Sequence, residues 1–563
     1  MTNKTPSGKK KPASDTQPNN PLPTLSEDTG KKLSSGPGDS SKQKQELFAK
    51  IWDMQNELRG GLDGWDFKNY ILGFLFYRFI GDDFAEYIDR QNGISKEAAA
   101  DDPARYQNLK DSEVEDWKED LVEEKGFFIY PSQLFENVVK KSKDNQDLNE
   151  ELAQVFTDIE QSSAGTPSED DFKNLFIDLD INSAKLGHTS AERNQKLSNI
   201  ITSIAELNFD ISDSLIDVLG DTYEFLIGQY ASSAGKSGGE FFTPQEVSTL
   251  LAKLTVAGRA NPTDLKVYDP ACGSGSLLLK FAKEVGAENI QDFYGQELNP
   301  TTYNLARMNM FLHGVSYNNF NIFNGDTLLK PGHLDAIPFD CVVANPPYSI
   351  KWAGDDNPLL INDDRFSPAG VLAPKSKADL AFVMHALYSL ANDGTAAIVE
   401  FPGVLYRSGA EKKIRQYLID HNFIDTIIQL PPELFFGTGI ATCIIVLKKN
   451  KKDQKTLFID ASAEFVRETK KNKLSDDNIQ NIIQQFTARA DEPFFARYVD
   501  NTEIKANDYS LSVSEYVAPE EIDNTVDIVE LNTEIAAIVA RQNALRTGLD
   551  LIIAEIEGDG KKK

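Results

Sequence analysis

The sequence predicts an α/β protein with an all-helical N-terminal domain, a doubly wound, Rossmann-like domain and a C-terminal helix. From Gln45 onward apolar residues recur at helical spacing, and no strand-like alternation appears before about residue 260. After that point short β-branched runs alternate with helices, which is typical of an open parallel sheet. At 563 residues the chain is also too long for one core, since single cores rarely exceed roughly 250–300 residues.

The N-terminal part divides into three segments. Residues 1–44 are rich in Lys, Ser, Pro and Gly and hold almost no large apolar side chains, which predicts a disordered tail. Helical periodicity over residues 45–160 predicts a helical domain. A Ser-Ser-Ala-Gly-Thr-Pro stretch at 162–167 interrupts this pattern, and residues 161–235 are predicted to be a helical linker to the next domain.

The second domain is predicted over residues 236–517. Its candidate strands are Leu265–Tyr268, Asp292–Gly295, Asn321–Phe323, Cys341–Ala344, Ala396–Phe401, Ile424–Leu430 and Ile444–Leu447. The helices predicted between them include Ser276–Val285, Thr302–His313, Asp379–Leu390 and Gly409–Asn422.

The C-terminal region, residues 518–563, is predicted to be helical and to pair with another subunit. Apolar side chains follow a heptad spacing that only Gln542 interrupts, at Ile528, Leu531, Ile535, Ile538, Leu545, Leu549, Ile552 and Ile556. The alternative is a terminal helix that packs on its own domain.

Composition excludes several classes of protein. No apolar run approaches the roughly 18–20 residues that cross a bilayer, and the N-terminus lacks the apolar core of a secretory signal. Cys272, Cys341 and Cys443 are too scattered for a disulfide framework or a metal cluster, so we expect buried thiols and a cytoplasmic location. The net charge of −29 argues against a chain that holds DNA by itself, because DNA affinity depends on neutralising phosphates.

A glycine-rich turn joins the first predicted strand to the next helix. The turn reads Asp269-Pro270-Ala271-Cys272-Gly273-Ser274-Gly275 and leads into Ser276. Such a turn lets the backbone approach a ligand, although it suits a nicotinamide enzyme equally well. Glu297 ends the following strand and is placed to accept hydrogen bonds from both ribose hydroxyls of a nucleoside, with a solvated strand-end acid as the alternative.

A second motif begins another helix. In the run Glu240-Phe241-Phe242-Thr243-Pro244-Gln245-Glu246, Thr243 and Glu246 have the spacing of a capping box and Pro244 suits the first helical position. The amides of this helix N-terminus are predicted to hold a carboxylate, such as the methionine end of a cofactor, beside an aromatic wall of two phenylalanines. The alternative is an ordinary capped helix with phenylalanines in the core.

The motif that decides the class is Asn345-Pro346-Pro347-Tyr348, which follows a predicted strand at the carboxyl edge of the sheet. An adenine N6 amine is a poor nucleophile because its lone pair is delocalised into the ring. The Asn345 side-chain oxygen and the Pro346 carbonyl can accept its two N–H bonds, and Pro347 restricts Pro346 to extended conformations. Tyr348 can stack on a base that has been flipped out of the duplex. No strong general base is required, since the methylated amine loses its proton to solvent.

Asp326 follows the intervening strand, in Asn324-Gly325-Asp326-Thr327. This position predicts an acceptor for the adenine amine of the cofactor. The alternative is an Asx-type turn, in which the carboxylate bonds to nearby backbone amides.

With these motifs the chain resembles the modification (M) subunit of type I restriction–modification systems over roughly residues 45–560. The resemblance rests on the motifs above, on Leu58-Arg59-Gly60 through Leu72, on Ser349–Trp352 and on Asp508–Ser512. Cofactor motifs that precede the catalytic motif resemble the gamma class of amino-methyltransferases. Many family members have Phe at the position of Tyr348, and both rings can stack on a base. The tail of 44 residues is a departure from the family.

The resemblance implies S-adenosylmethionine as the methyl donor, adenine N6 in double-stranded DNA as the target and no metal requirement. It also implies a specificity (S) subunit that reads the DNA sequence, a second copy of the M subunit, and in some complexes a motor–nuclease (R) subunit. Such partners would explain how an acidic chain acts on DNA. The alternatives are a stand-alone adenine DNA methyltransferase, a protein-glutamine methyltransferase and a catalytically silent scaffold.

Overall fold

The chain folds into a group of helices, a helix-covered sheet and a long terminal helix, as the sequence predicts. The computed structural model describes residues 64–95, 98–207, 243–259, 262–435, 439–468, 471–519 and 528–559. The predicted tail and the predicted linker beyond residue 207 lie outside these ranges.

The first helical group has no strand among its described residues, which confirms the helical prediction. Its α-helices are α1 (Gly64–Gln91), α2 (Asp111–Val114), α3 (Lys118–Lys125), α4 (Phe135–Ser142), α5 (Leu148–Ser162), α6 (Glu169–Phe172) and α7 (Ser190–Ala205).

Helix α1 forms the centre of this group. Every residue from Tyr70 to Ile80 is buried, because this stretch is apolar on all sides of the helix. The one cation in it, Arg78, donates through Nη1 to the carbonyl oxygens of Ile204 and Leu207 at the end of α7. The Leu207 carbonyl lies past the end of α7, and the Ile204 carbonyl also accepts from Leu207 N–H at 3.2 Å, so backbone acceptors at this helix end satisfy the buried charge. No helix in the described ranges is long and apolar enough to cross a membrane.

The second region is built on a nine-stranded sheet in the order β11-β8-β6-β7-β5-β4-β1-β2-β3. Strands β1, β2, β3, β4 and β5 are parallel, and β7 runs antiparallel between β5 and β6. The strands are β1 (Leu265–Asp269), β2 (Ile290–Glu297), β3 (Phe320–Asn324), β4 (Phe339–Ala344), β5 (Leu390–Glu400), β6 (Ile424–Gln429), β7 (Cys443–Lys448), β8 (Lys455–Asp460), β9 (Val466–Arg467), β10 (Asn472–Lys473) and β11 (Ala496–Asp500), with β9 and β10 forming a separate small hairpin.

Helices cover both faces of this sheet, as a doubly wound fold requires. They are α8 (Gln245–Val256), α9 (Ser276–Val285), α10 (Pro300–Leu312), α11 (Asp379–Ser389), α12 (Ala410–Asp420), α13 (Asp476–Ala488) and α14 (Asn501–Ala506). Alternate residues of a strand point to opposite faces. Thus Val342 of β4 packs in the core that includes α11 and α12, whereas Val343 packs in the core that includes α8 and α9.

The point at which the strand order reverses lies at β1, between β2 and β4. In open α/β sheets ligands bind at such a point, outside the carboxyl ends of the strands. The turns that follow β1, β2, β3 and β4 therefore meet at one edge of the sheet.

The first helical group docks on α10. Arg307 is fully buried, and its Nη1 donates to the carbonyl oxygens of Asp170, Asp171 and Lys173 at 2.8, 3.0 and 3.1 Å. Asp178 accepts from Asn304 of the same helix. These contacts fix α10, whose first turn faces the edge at which the strand order reverses.

The terminal helix, α15 (Ile528–Asp559), is continuous. The seam side chains Ile538, Leu545 and Leu549 are 65, 69 and 58% exposed. A helix packed on its own domain would bury this seam, so that alternative prediction is wrong for the described residues. The seam positions Ile528, Ile552 and Ile556 have side chains outside the described part of the chain.

Candidate active site

A cavity of about 530 Å³ opens where the strand order reverses. Its walls come from the turns after the first four strands and from one residue of α11. They are Pro270 and Ala271 after β1, Gln296 to Pro300 at the end of β2, Asp326 to Leu328 after β3, Pro347, Ile350, Lys351 and Trp352 after β4, and Phe382 of α11.

The glycine-rich turn adopts backbone conformations that favour glycine. Gly273 and Gly275 have φ of +55° and +79°. A Cβ on Gly275 would also lie 3.2 Å from Met310 Cε, so the turn packs directly against α10. Helix α9 begins at Ser276 as predicted. Ser274 and Ser276 are buried with their hydroxyls 3.2 Å apart, so they shape the turn, while Pro270 and Ala271 line the cavity.

Asp269 holds the backbone of this turn by a hydrogen bond. The carboxylate is buried, and its Oδ1 accepts from Ala271 N–H at 2.9 Å. Burial raises the pKa of Asp269 to about 8. Asp269 therefore holds the backbone of the turn and does not itself line the cavity.

Glu297 reaches the cavity from the end of β2. Its Oε2 accepts from Gly273 N–H at 3.1 Å and its Oε1 accepts from Asn299 N–H at 2.7 Å. Burial raises the pKa of Glu297, and the two backbone amides oppose that shift. Each carboxylate oxygen retains acceptor capacity, so the side chain is held in place and can still accept from a ligand.

Asp326 forms the Asx-type turn that was the alternative prediction, while its role as an acceptor for the cofactor stays a prediction. Its Oδ1 accepts from the N–H groups of Leu328 and Leu329 at 2.9 and 3.2 Å, which is an Asx-type turn. The residue also lines the cavity, on the wall next to Glu297.

The Asn345 amide is buried and fixed from both sides. Its Nδ2 donates to Thr243 Oγ1 at 3.1 Å, and its Oδ1 accepts from the Tyr348 hydroxyl at 2.5 Å. Pro346 is buried and Pro347 lines the cavity. Phe435, from the loop after β6, lies edge-on to the Tyr348 ring at 6.4 Å. The turn thus fixes the Asn345 amide beside the Tyr348 ring, two residues before Pro347 of the cavity wall.

The predicted capping box at Thr243 was wrong. Helix α8 begins at Gln245, with Pro244 as its N-cap and no side-chain cap hydrogen bond. The Thr243 hydroxyl accepts from Asn345 instead, because a buried amide donor without a partner is costly, whereas the first amides of a helix can be solvated. The predicted cofactor residues Glu240, Phe241 and Phe242 lie outside the described residues.

Sequence reasoning missed the acids behind the Asn345 turn. Ser349 has φ +51°, and its N–H donates to Asp379 Oδ1 at 3.0 Å. Glu400, at the end of β5, is fully buried, and neither of its carboxylate oxygens has a hydrogen-bond partner among the described residues. Burial, followed by the charge of Asp379, raises the pKa of Glu400 well above its ordinary value. Glu400 lies within the predicted strand Ala396–Phe401, but a sequence alone does not show which acids are buried.

The three cysteines are free and buried, which confirms that prediction. Burial raises the pKa of Cys341 to about 12. Within the described ranges, no group of three or more His, Cys, Asp and Glu side chains has the arrangement of a metal site.

The strand order and the helices on both faces of the sheet match a Rossmann-like methyltransferase fold. Two family models match the chain: the N-6 DNA Methylase model over residues 214–525, and the HsdM N-terminal domain model over residues 47–204. The chain belongs to the family of methylase subunits of type I restriction enzymes.

Relatives of known class resemble the chain along most of its length. The MpnII methylase subunit of Mycoplasma pneumoniae is 47% identical over 92% of this chain and 98% of its own length. The HindI methylase subunit of Haemophilus influenzae is 31% identical over 62% of this chain and 77% of its own. The crystal structure of a type I methyltransferase subunit from Streptococcus thermophilus superposes with a TM-score of 0.77 at 38% identity, covering 84% of this chain and 99% of that one.

Proposed function

We propose that this chain transfers a methyl group from S-adenosylmethionine to adenine N6 in double-stranded DNA, as the modification subunit of a type I restriction–modification complex. The observation that carries the proposal is the Asn345 amide, which Thr243 and Tyr348 hold in one orientation within the turn whose Pro347 lines the cavity. The proposed catalytic domain spans residues 236–517.

The cavity suits a nucleoside donor in size and chemistry. Its volume of about 530 Å³ lies within the range of roughly 300–1,000 Å³ that small-molecule sites span. Glu297 would accept from the ribose hydroxyls and Asp326 from the adenine amine, with Phe382 and Ile350 against the base. The methionine end would reach the segment Glu240 to Gln245 and the Gly273–Ser276 turn. When bound, the donor supplies a methyl group on a positively charged sulfur.

The Asn345 turn would activate the target amine. A carboxamide oxygen has two lone pairs, so Asn345 Oδ1 can accept from the Tyr348 hydroxyl and from an adenine N–H together. The Pro346 carbonyl would accept the second N–H. The Tyr348 ring would stack on the flipped base, with Phe435 at its edge. The Asn345 oxygen and the Pro346 carbonyl would localise the lone pair on the amine nitrogen. The nitrogen would then be nucleophilic enough to accept the methyl group without a general base.

Partners are part of the proposal because of charge. A chain of net charge −29 gains little from phosphate contacts, so most DNA contacts would come from the specificity subunit. The exposed α15 seam would bind that subunit, and a second M subunit would modify the other half-site. A motor–nuclease subunit would join when restriction occurs. A stand-alone adenine methyltransferase stays the alternative.

The Asn345→Ala variant tests the proposal. We expect methyl transfer to fall by roughly 1,000-fold or more, since both amine activation and the hold on Tyr348 are lost, while donor binding changes less than about 3-fold. Tritium transfer to DNA and calorimetric titration with S-adenosylhomocysteine measure the two properties. Tyr348→Phe is the matched control, because it keeps the ring and removes only the hydroxyl. We expect its methyl transfer to fall by about 10-fold. Equal loss of donor binding in Asn345→Ala would mean that the site is misassigned.

A further inference from the structure

Arg365 is a buried cation that lies between the turn after β3 and helix α11. Its side chain is 3% exposed. The guanidinium donates to the carbonyl oxygens of Thr327 and Leu328, both at 2.8 Å. It donates to both carboxylate oxygens of Asp363 at 3.0 and 2.8 Å, and to His385 Nδ1 at 3.2 Å. All five N–H bonds of the guanidinium are therefore used.

The same network extends to β1. Arginine only donates, so His385 Nδ1 is the acceptor, and its Nε2–H donates to the Tyr268 hydroxyl at 2.9 Å. Burial, followed by the charge of Arg365, lowers the pKa of His385 to about 3, which keeps the ring neutral. Tyr268 directly precedes Asp269 of the glycine-rich turn. The network thus joins β1, the turn after β3, helix α11 and the segment that carries Arg365.

The carbonyls that Arg365 holds belong to a wall of the cavity. Asp326, Thr327 and Leu328 all line it. The Thr327 hydroxyl donates in turn to the Pro270 carbonyl at 2.6 Å, and Pro270 lines the wall next to it. Arg365 has no place in the cavity lining, so it can act on a ligand only through these turns.

Arg365 also supports the part of the cavity wall that follows β4. Its guanidinium lies 4.7 Å from the centre of the Phe366 ring, and Phe366 packs edge-on against Trp352 at 5.5 Å. Trp352 lines the cavity after β4. Arg365 therefore contacts the Asp326–Leu328 wall directly and the Trp352 wall through Phe366.

We propose that Arg365 is a positioning residue for the methyl donor, which holds the Asp326–Leu328 wall in the shape that the nucleoside end requires. This inference rests on the proposed use of S-adenosylmethionine. Lysine cannot replace arginine here, because its three donors cannot bond to two carbonyls, a carboxylate and an imidazole in one plane. The Asn345 turn lies after a different strand, so loss of Arg365 should weaken donor binding and leave the transfer step largely intact.

Two substitutions and one control test this role in the full chain. Arg365→Lys should raise the dissociation constant for S-adenosylhomocysteine by about 10-fold, the effect of losing one well-placed polar contact. Asp363→Asn should raise it less, since it removes the charge and one of the two oxygens that accept from Arg365 but keeps the guanidinium and its bonds to the wall. The control is Arg415→Lys. Arg415 is 2% exposed and donates to the carbonyls of Val404 and Tyr509, outside the cavity lining.

Calorimetric titration and thermal unfolding of the free chain provide the readouts. With the specificity subunit present, the KM for the donor should rise in Arg365→Lys while kcat stays within about 2-fold. Weaker donor binding in both test variants, with normal binding in Arg415→Lys, supports the inference. Normal binding in folded Arg365→Lys overturns it, as does equal weakening in Arg415→Lys. If Arg365→Lys does not fold, donor binding by Asp363→Asn tests the inference: weaker binding supports it and normal binding overturns it. If the wild-type chain does not bind S-adenosylhomocysteine, the proposed function itself fails.

Discussion

At the residue scale, Glu400 shows how burial and a neighbouring charge change the pKa of a side chain. The acid lies at the end of β5 with no hydrogen-bond partner for either oxygen among the described residues, and Asp379 is near enough to raise its pKa further. A raised pKa means that the folded protein binds the proton more tightly than the unfolded chain does. The stabilising contribution is therefore complete below the ordinary pKa of about 4.3 and is lost as pH rises towards the folded pKa.

Glu400→Gln should remove this dependence, because glutamine has the shape of the protonated acid but does not ionise. We expect the variant to be more stable than the wild type above about pH 5, by a margin that grows with pH at up to about 1.4 kcal/mol per unit. Urea unfolding at several pH values measures the margin. Exposed Glu123→Gln is the control and should give a flat difference. An equally flat difference at Glu400 would contradict its protonated state.

The same scale shows what a sequence can and cannot give for a site. Asn345, Glu297 and Asp326 were predicted as site residues, because each lies at or within two residues of the carboxyl end of a strand, at the same edge of the sheet. The hydrogen bond between Thr243 and Asn345 was not predicted. The spacing of residues at the start of a helix gives no information about an amide 102 residues away. Arg365 and Glu400 were missed for a similar reason: the burial of a charged residue depends on which elements close over it.

At the scale of elements, strong periodicity was the useful signal. The start of α9 at Ser276 and the strands near the cavity were predicted closely, because buried parallel strands are continuous apolar runs. Strands β8 and β11 were missed. The apolar run of β8 is confined to Leu457–Ile459. Strand β11 lies at an edge of the sheet, and only two of its five residues are buried, which leaves a weak pattern.

Helix α15 gives a prediction about assembly at this scale. Ile538→Glu should leave the thermal stability of the free chain unchanged, because a side chain that is 65% exposed loses little packing. The same charge should weaken co-purification with the specificity subunit by at least 10-fold, since an ion in a helix–helix seam must be desolvated. Ala540→Glu, about 200° around the helix from Ile538, is the matched control.

Pull-down with tagged specificity subunit and thermal unfolding measure these two effects. Normal capture of Ile538→Glu would show that the seam does not bind that subunit. Loss of capture in both variants would point to a general effect of added charge on an already acidic chain, and would not support a specific face.

At the scale of the whole molecule, the acidic net charge should affect DNA binding much more than donor binding. The cavity lies within this one chain, so we expect the proposed donor binding to need no partner. DNA binding by a chain of charge −29 lacks the phosphate neutralisation that gives most proteins their affinity for a duplex. These two activities should therefore respond differently when the specificity subunit is added.

The purified chain should bind S-adenosylhomocysteine, yet methylate DNA poorly and without sequence preference. Adding the specificity subunit should raise tritium transfer by at least 100-fold and confine it to particular sites, while the dissociation constant for the donor analogue changes little. Asn345→Ala in the same complex shows how much transfer comes from this active site. Robust site-specific methylation by the chain alone would favour a stand-alone enzyme, because its own surface would then have to read DNA despite its charge.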